Sequence, residues 1–270
     1  MKYFENALSF LGKFFVLILP LYLLYAIPSL FNGIGTTINY GKYLSTFRSL
    51  TMDPMRIQNP TEIIRLFTGI FIAAAGASLL GFILEFLIKP ATFGMVKKAL
   101  ETSNSDLNDF VPELKINLVK YIVYWIGNLL LWLVFAIAAS IAVLVFVLLA
   151  AVLGRIGYIL LALIIFCLVL AGIVLGILTS LWFPAMVVEN LDIVAALKKS
   201  FKVAAGSFWT ILGMTLLIWL IGAVAGFILG FLGFIPLLGS LIVSIIPAVT
   251  GFIMIVFYMM LYRDKVGGTC

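Results

Sequence analysis

The chain has 270 residues, of which 64% are hydrophobic and only 10% charged, and its mean hydropathy is +1.27. A soluble domain carries about 25% charged residues, so a water-soluble globule is excluded and hydrocarbon is the expected solvent. The net charge of +6 does not point to nucleic acid, because the 17 basic residues are dispersed between apolar runs, as loops flanking membrane spans require.

A helical span needs about 20 apolar residues. The runs in chain order predict an all-α polytopic membrane helical bundle, one integral membrane domain over 1–270. It has six transmembrane helices and two cytoplasmic amphipathic interfacial helices. The first span, 14–31, follows Lys2 and Lys13. It is too long for the apolar core of a secretion signal, lacks a small-x-small cleavage site, and should be bent by Pro20 and Pro28. Asn32 to Asn59 is the longest polar interval, with Tyr40, Tyr43 and Phe47 suited to a membrane interface. Asn59, Pro60 and Glu62 give the cap, proline and acid of a helix start, opening the second span, 64–88, which should close at Lys89 and Pro90.

In the next polar interval Leu107, Phe110, Val111, Leu114 and Leu118 share one helical face, with Asp109, Glu113 and Lys120 opposite and Pro112 required in the first turn. The third span, 121–150, and the fourth, 157–182, are separated by a turn at Gly154 and Arg155. Beyond Trp182 come Asn190 and Asp192, both good helix caps. Ile193, Val194, Leu197, Phe201 and Ala204 then recur at helical spacing, with Lys198, Lys199 and Lys202 on the other side. Such a segment between two spans fits the membrane interface, and it fits equally a solvated loop helix packed on its own bundle. The fifth span is 208–232 and the sixth 237–261, separated by Gly233 and Pro236.

Twelve of the 17 lysines and arginines fall at the N-terminus, in the second and fourth loops and at the C-terminus, which orients both termini and both amphipathic segments toward the cytoplasm. Pro90-Ala91 and Pro184-Ala185 also begin similar-looking stretches, so a repeated helical hairpin is expected.

Within the fourth loop and its flanks, Pro184, Val188, Glu189, Ala196, Leu197, Ser200 and Phe201, followed by Gly206, Trp209 and Gly213, form a pattern. It resembles the six-span bacterial and archaeal membrane domain found at the N-terminus of some glycerophosphoryl diester phosphodiesterases, and its uncharacterised relatives. That resemblance implies a multi-pass fold in the plasma membrane of a bacterium or archaeon and a lipid-facing setting. The catalytic barrel of the phosphodiesterases does not follow the sixth span, so no catalytic residue carries over.

Glu85 is the one acid well inside an apolar run. It is a candidate intramembrane polar site, although Lys89 four residues on is a natural ion-pair partner. Asn128, in the third span, is the other polar candidate, able to hydrogen-bond between helices. Glu189 and Asp192 suit the positive end of the helix that follows them. Gly172 with Gly176, and Gly222, Gly226 and Gly230, form strips of small residues on which neighbouring helices or a second copy can pack. Pro247 should kink the sixth span.

There is no histidine, no phosphate loop and no nucleophile elbow, and the two cysteines, Cys167 and Cys270, form neither a disulfide framework nor a metal cluster. No catalytic residue, metal or cofactor is therefore expected. The leading functional reading is a non-catalytic domain that binds membrane lipid, or a protein partner or second copy, through Lys198, Lys199 and Lys202, assisted by Lys97 and Lys98. The alternative is a transporter or channel for a small or amphiphilic solute using Glu85, Asn128 and the Pro247 kink, and an enzyme of lipid metabolism stands last.

Overall fold

The computed structural model describes residues 2–31, 60–235 and 237–267, so the polar interval 32–59, Pro236 and Cys270 lie outside the described part. Every regular element among the described residues is helical: α1 (Lys2–Lys13), α2 (19–31), α3 (Pro60–Thr102), α4 (Phe110–Leu153), α5 (Arg155–Thr179), α6 (Trp182–Val188), α7 (Ile193–Gly206), α8 (Phe208–Leu229), α9 (Leu238–Val243) and α10 (Ile245–Val266), with short 3-10 turns between some of them. Five segments among them are long and apolar enough to cross a membrane: Ala75–Thr102, Leu107–Leu153, Arg155–Val188, Phe208–Leu232 and Leu238–Val266. A sixth is reached only if the bent pair Lys2–Lys13 and Phe15–Phe31 counts as one span. The most apolar stretch is at most 6% buried in Leu107–Leu153, Arg155–Val188 and Phe208–Leu232, against 44% in Ala75–Thr102 and Leu238–Val266. Phe166, Trp219 and Phe227 are each at least 60% exposed, a surface compatible with a membrane protein.

The chain divides into two compact units. The first draws on Met1–Leu114 and Leu216–Val256, the second on Lys115–Thr215 and Phe257–Cys270. In the first, α1 lays Ala7 and Phe10 into the core one helical turn apart, with the Phe10 ring 6.2 Å from Phe252. Tyr22 donates to the Leu241 carbonyl and the Ser244 hydroxyl to that of Tyr25, both at 3.4 Å.

The start of the chain differs from expectation. A full helix precedes residue 14, and the chain then turns by 96° at Phe14, whose backbone is non-helical. The bend is not at the prolines. Pro20 lies in the first turn of α2, where its missing N–H is harmless, and α2 runs on through Pro28.

The second span does not close at Pro90 either. α3 continues to Thr102 with the proline inside it. Pro90 removes one backbone bond and crowds the Phe86 carbonyl, at roughly 3 kcal/mol. Beyond it Ala91, Met95, Val96 and Ala99 are buried, and Thr92 Oγ1 donates to the Ile88 carbonyl at 2.8 Å. Close packing of these buried residues offsets that cost and carries the helix on past the proline.

The expected second interfacial helix is the beginning of α4. Leu107–Asp109 forms a 3-10 turn and α4 then runs unbroken from Phe110, with Pro112 in its first turn. Nothing between Leu118 and Tyr121 breaks a helix, so the amphipathic segment and the third span are continuous. Asp106 and Asp109 cap this start reciprocally.

In the second unit α4 and α5 meet at Gly154, whose φ of +58° suits glycine, and the Gly157 backbone lies against Ala150 so closely that a Cβ there would overlap it. α5 stops at Thr179 instead of Trp182. The Thr179 and Ser180 hydroxyls bond back to the Leu175 and Ile177 carbonyls, a pattern that bends helices, and α6 restarts at Trp182 with Pro184 in its first turn. Pro90 and Pro184 therefore occupy unlike local structures, and the expected repeated hairpin is not reproduced at them. Pro247 is likewise in the first turn of α10, and the break in the sixth span falls upstream at Ser244, between α9 and α10.

Candidate functional site

The second unit contains the free-standing amphipathic helix that the sequence predicts, α7. Asp192 stands at its N-cap, its side chain accepting from the Ala195 N–H at 3.5 Å. The buried face is rotated from the expected one. Ala196, Ser200 and Ala204 are buried, whereas Val194 is 55% exposed and Ile193, Leu197 and Phe201 are half-buried. Small residues every fourth position let α7 approach α5 closely, and Ser200 Oγ donates to the Leu178 carbonyl at 2.7 Å. Large apolar residues at helical spacing dominated the sequence pattern, so this small-residue face was missed.

Three further contacts fix α7. Trp182 Nε1 donates to the Ile193 carbonyl at 2.8 Å, and its ring stands edge-on to Tyr124 with Phe183 beside it. Gly127 leaves room for this corner, since a Cβ there would stand 2.6 Å from Ile193 and 3.0 Å from Trp182. Glu189 is the third. Its Oε1 accepts from the Tyr262 hydroxyl at 2.6 Å and its Oε2 from Lys199 Nζ at 3.3 Å, so one carboxylate ties the end of α6 to α7 and α10. This corrects the expectation that Glu189 serves the N-terminus of α7, because it is the C-cap of α6. Asn190 follows it with φ +58°, turning the chain toward Asp192.

The lysines of α7 are then sorted by their surroundings. Lys198 and Lys202 are exposed, and among the described residues neither is paired with a carboxylate. Lys199 is shared between Glu189 and a cavity of about 380 Å³ lined also by Lys202, Ser207 and Lys265. The Ser207 hydroxyl there is buried without a hydrogen-bond partner. Neither Ser207 nor Lys265 stood out in the sequence, because a serine at a helix boundary and a lysine near a terminus are both ordinary.

Lys97 and Lys98 belong to the first unit, at the end of α3. Lys98 Nζ pairs with Asp109 Oδ1 at 2.5 Å, the same carboxylate that accepts from the Asp106 N–H and the Ser105 hydroxyl, and Lys97 is half-buried and engaged.

Also in the first unit, Glu85 Oε1 accepts from Lys89 Nζ at 2.6 Å, and both side chains are about one third exposed. They line a cavity of about 310 Å³ with Tyr25, Pro28, Ser29 and Ser78. Asn128 belongs to the other unit, half-buried on α4, and Pro247 does not line this cavity. Asn117, on α4, is a buried amide that the sequence reading passed over.

Of the glycines, Gly222 faces Thr250, with 3.2 Å available to an added Cβ, while Gly226 and Gly230 face nothing within 4 Å. Gly172 and Gly176 lie beside Phe135 and Trp132, on α4. Cys167 is exposed, and no group of three His, Cys, Asp or Glu side chains among the described residues could hold a metal ion.

A family described as "Domain of unknown function (DUF7847)" matches residues 9–264, and its description carries no phosphodiesterase. No curated protein and no solved structure matches the chain. With nearly its whole length covered, the chain belongs to this family of domains of unknown function.

Proposed function

We propose that this chain is a non-catalytic membrane protein that holds anionic lipid against α7. It would cross the plasma membrane of a bacterium or archaeon six times, the bent pair at the start counting as one span, with both termini and α7 in the cytoplasm. The resemblance to the membrane domain of glycerophosphoryl diester phosphodiesterases agrees with this lipid-facing setting. One observation carries the reading. α7 is anchored through Ala196, Ser200 and Ala204 while Lys198 and Lys202 stand exposed and unpaired among the described residues, so their charge is available to headgroups. Lys97 and Lys98 contribute less, since Lys98 is already matched by Asp109.

The test is native mass spectrometry of the purified chain titrated with phosphatidylglycerol in neutral detergent. Each lysine near an anionic surface contributes about 1 kcal/mol, so replacing Lys198, Lys199 and Lys202 together by glutamine should weaken binding about 100-fold. Equal retention of lipid by parent and variant would remove the proposal.

The second reading, passage of a small or amphiphilic solute, has the Glu85–Lys89 cavity in its favour. It requires a solute flux in proteoliposomes that falls in Glu85→Gln. Flux unaffected by that change would dispose of it.

A further inference from the structure

The cavity between α7 and the end of α10 has a chemistry more specific than a basic surface. Lys199 and Lys202 reach it from one helix and Lys265 from the other, both within the second unit. Glu189 offsets one of these three charges through its contact with Lys199. The remaining two have no carboxylate partner among the described residues. Beside them stands the Ser207 hydroxyl, in a residue only 5% exposed and with its oxygen unpartnered. A buried hydroxyl left without a partner costs about 1–3 kcal/mol, and such a group in a native structure needs an explanation.

The cavity thus offers two uncompensated ammonium groups, one shared ammonium and a serine whose hydroxyl lacks a partner, in a volume within the usual range for small-ligand sites.

We infer that this cavity binds a terminal phosphate group, a phosphomonoester dianion in preference to a phosphodiester monoanion, an inference that rests on the lipid-facing reading of α7. A phosphomonoester carries roughly −1.5 to −2 charge at neutral pH and three strong acceptor oxygens, which matches the two unneutralised lysines and leaves an acceptor for Ser207. A phosphodiester has one charge and two free oxygens, so it leaves one donor unmet. Two residues beyond Ser207, Trp209 is 79% exposed, the position of an interfacial aromatic, which favours a phosphate carried by a membrane lipid over one free in solution.

The experiment titrates the full chain in neutral detergent with short-chain phosphatidic acid, phosphatidylglycerol, phosphatidylcholine and inorganic phosphate, following binding by native mass spectrometry and by thermal shift. The parent should hold phosphatidic acid about tenfold more tightly than phosphatidylglycerol, the worth of one charge-assisted hydrogen bond. Ser207→Ala and Lys265→Gln should each abolish that preference, weakening phosphatidic acid about tenfold more than phosphatidylglycerol. Ser207→Ala should unfold no earlier than the parent without ligand, because it removes only an unpaired hydroxyl. A preference kept in both variants, or absent from the parent, overturns the cavity as a phosphomonoester site, and leaves the general lysine surface standing if phosphatidylglycerol still binds. Phosphatidylglycerol held no better than phosphatidylcholine, with a variant-sensitive preference for phosphatidic acid, sinks the general surface and supports the cavity. Inorganic phosphate binding as tightly as phosphatidic acid overturns the lipid as its source.

Discussion

Glu189 offers the sharpest test of how α7 is held. Its carboxylate accepts from Tyr262, a side chain with no exposed surface, at 2.6 Å, and from Lys199 at 3.3 Å. A hydrogen bond to a charged group contributes about 1.5–3 kcal/mol. Because the Glu189 side chain is 25% exposed, the low end of that range applies to the tyrosine bond, about 1.5 kcal/mol. Lys199 is 38% exposed and its pair falls in the class contributing roughly 0.2–1 kcal/mol. Tyr262→Phe should therefore destabilise by about 1.5 kcal/mol, Lys199→Gln by under about 1, and Glu189→Ala by about 2–3, since the last also leaves the tyrosine hydroxyl unpaired. Reversible unfolding of the purified protein in mixed micelles with increasing dodecyl sulfate measures all three and the double variant. The Glu189–Tyr262 coupling should be at least about 1 kcal/mol. Additivity within about 0.3 kcal/mol would mean that the two side chains act independently and that the three-helix tie is not a unit.

Other expectations use the same assay or simple labelling. Gly127→Ala should destabilise by about 1–3 kcal/mol, because its Cβ would collide with Ile193 and Trp182. Gly213→Ala, inside α8 with nothing within 4 Å, should instead stabilise by up to about 1 kcal/mol. Trp182→Phe should lose about 1 kcal/mol with the bond to the Ile193 carbonyl, and a neutral result would show that the edge-on ring contacts alone set the corner. In a cysteine-free background, single cysteines replacing Lys97 and Lys198 should be modified by an impermeant reagent from the same side of the membrane. Labelling from opposite sides would refute the six-span topology.

How much of this was legible beforehand depended on which force set each feature. Apolar runs mark helices with exposed apolar surfaces directly, so α4, α5, α8 and the turn at Gly154 could be placed from hydropathy and one glycine. The Glu85–Lys89 pair and the Asp192 cap followed from spacing along a single helix. Helix ends were harder. Pro90 reads locally as a stop, but whether a helix survives a proline depends on what is buried beyond it, here Ala91 to Ala99, and burial is a tertiary property. The same holds for the face of α7. Ile193, Val194, Leu197 and Phe201 carry the larger hydrophobicity, yet Ala196, Ser200 and Ala204 win the buried side because they permit closer approach and a hydrogen bond to Leu178. Lys265 and Ser207 come together from 58 positions apart, a juxtaposition no linear pattern announces.

The uninterrupted lengths of α3 and α4 have a geometric consequence. At 1.5 Å per residue, helices of 43 and 44 residues are each about 65 Å long, roughly twice the 30 Å of a hydrocarbon layer. Threaded upright through such a layer, each would leave some twenty residues beyond the acyl chains as a strut. The link between them, around exposed Ser103 and Asn104, closes with its own caps and the Lys98–Asp109 clasp. A fluorophore inserted at that link would travel on a stiff handle rather than a floppy tether, and would report rotations of the two helices with little blurring.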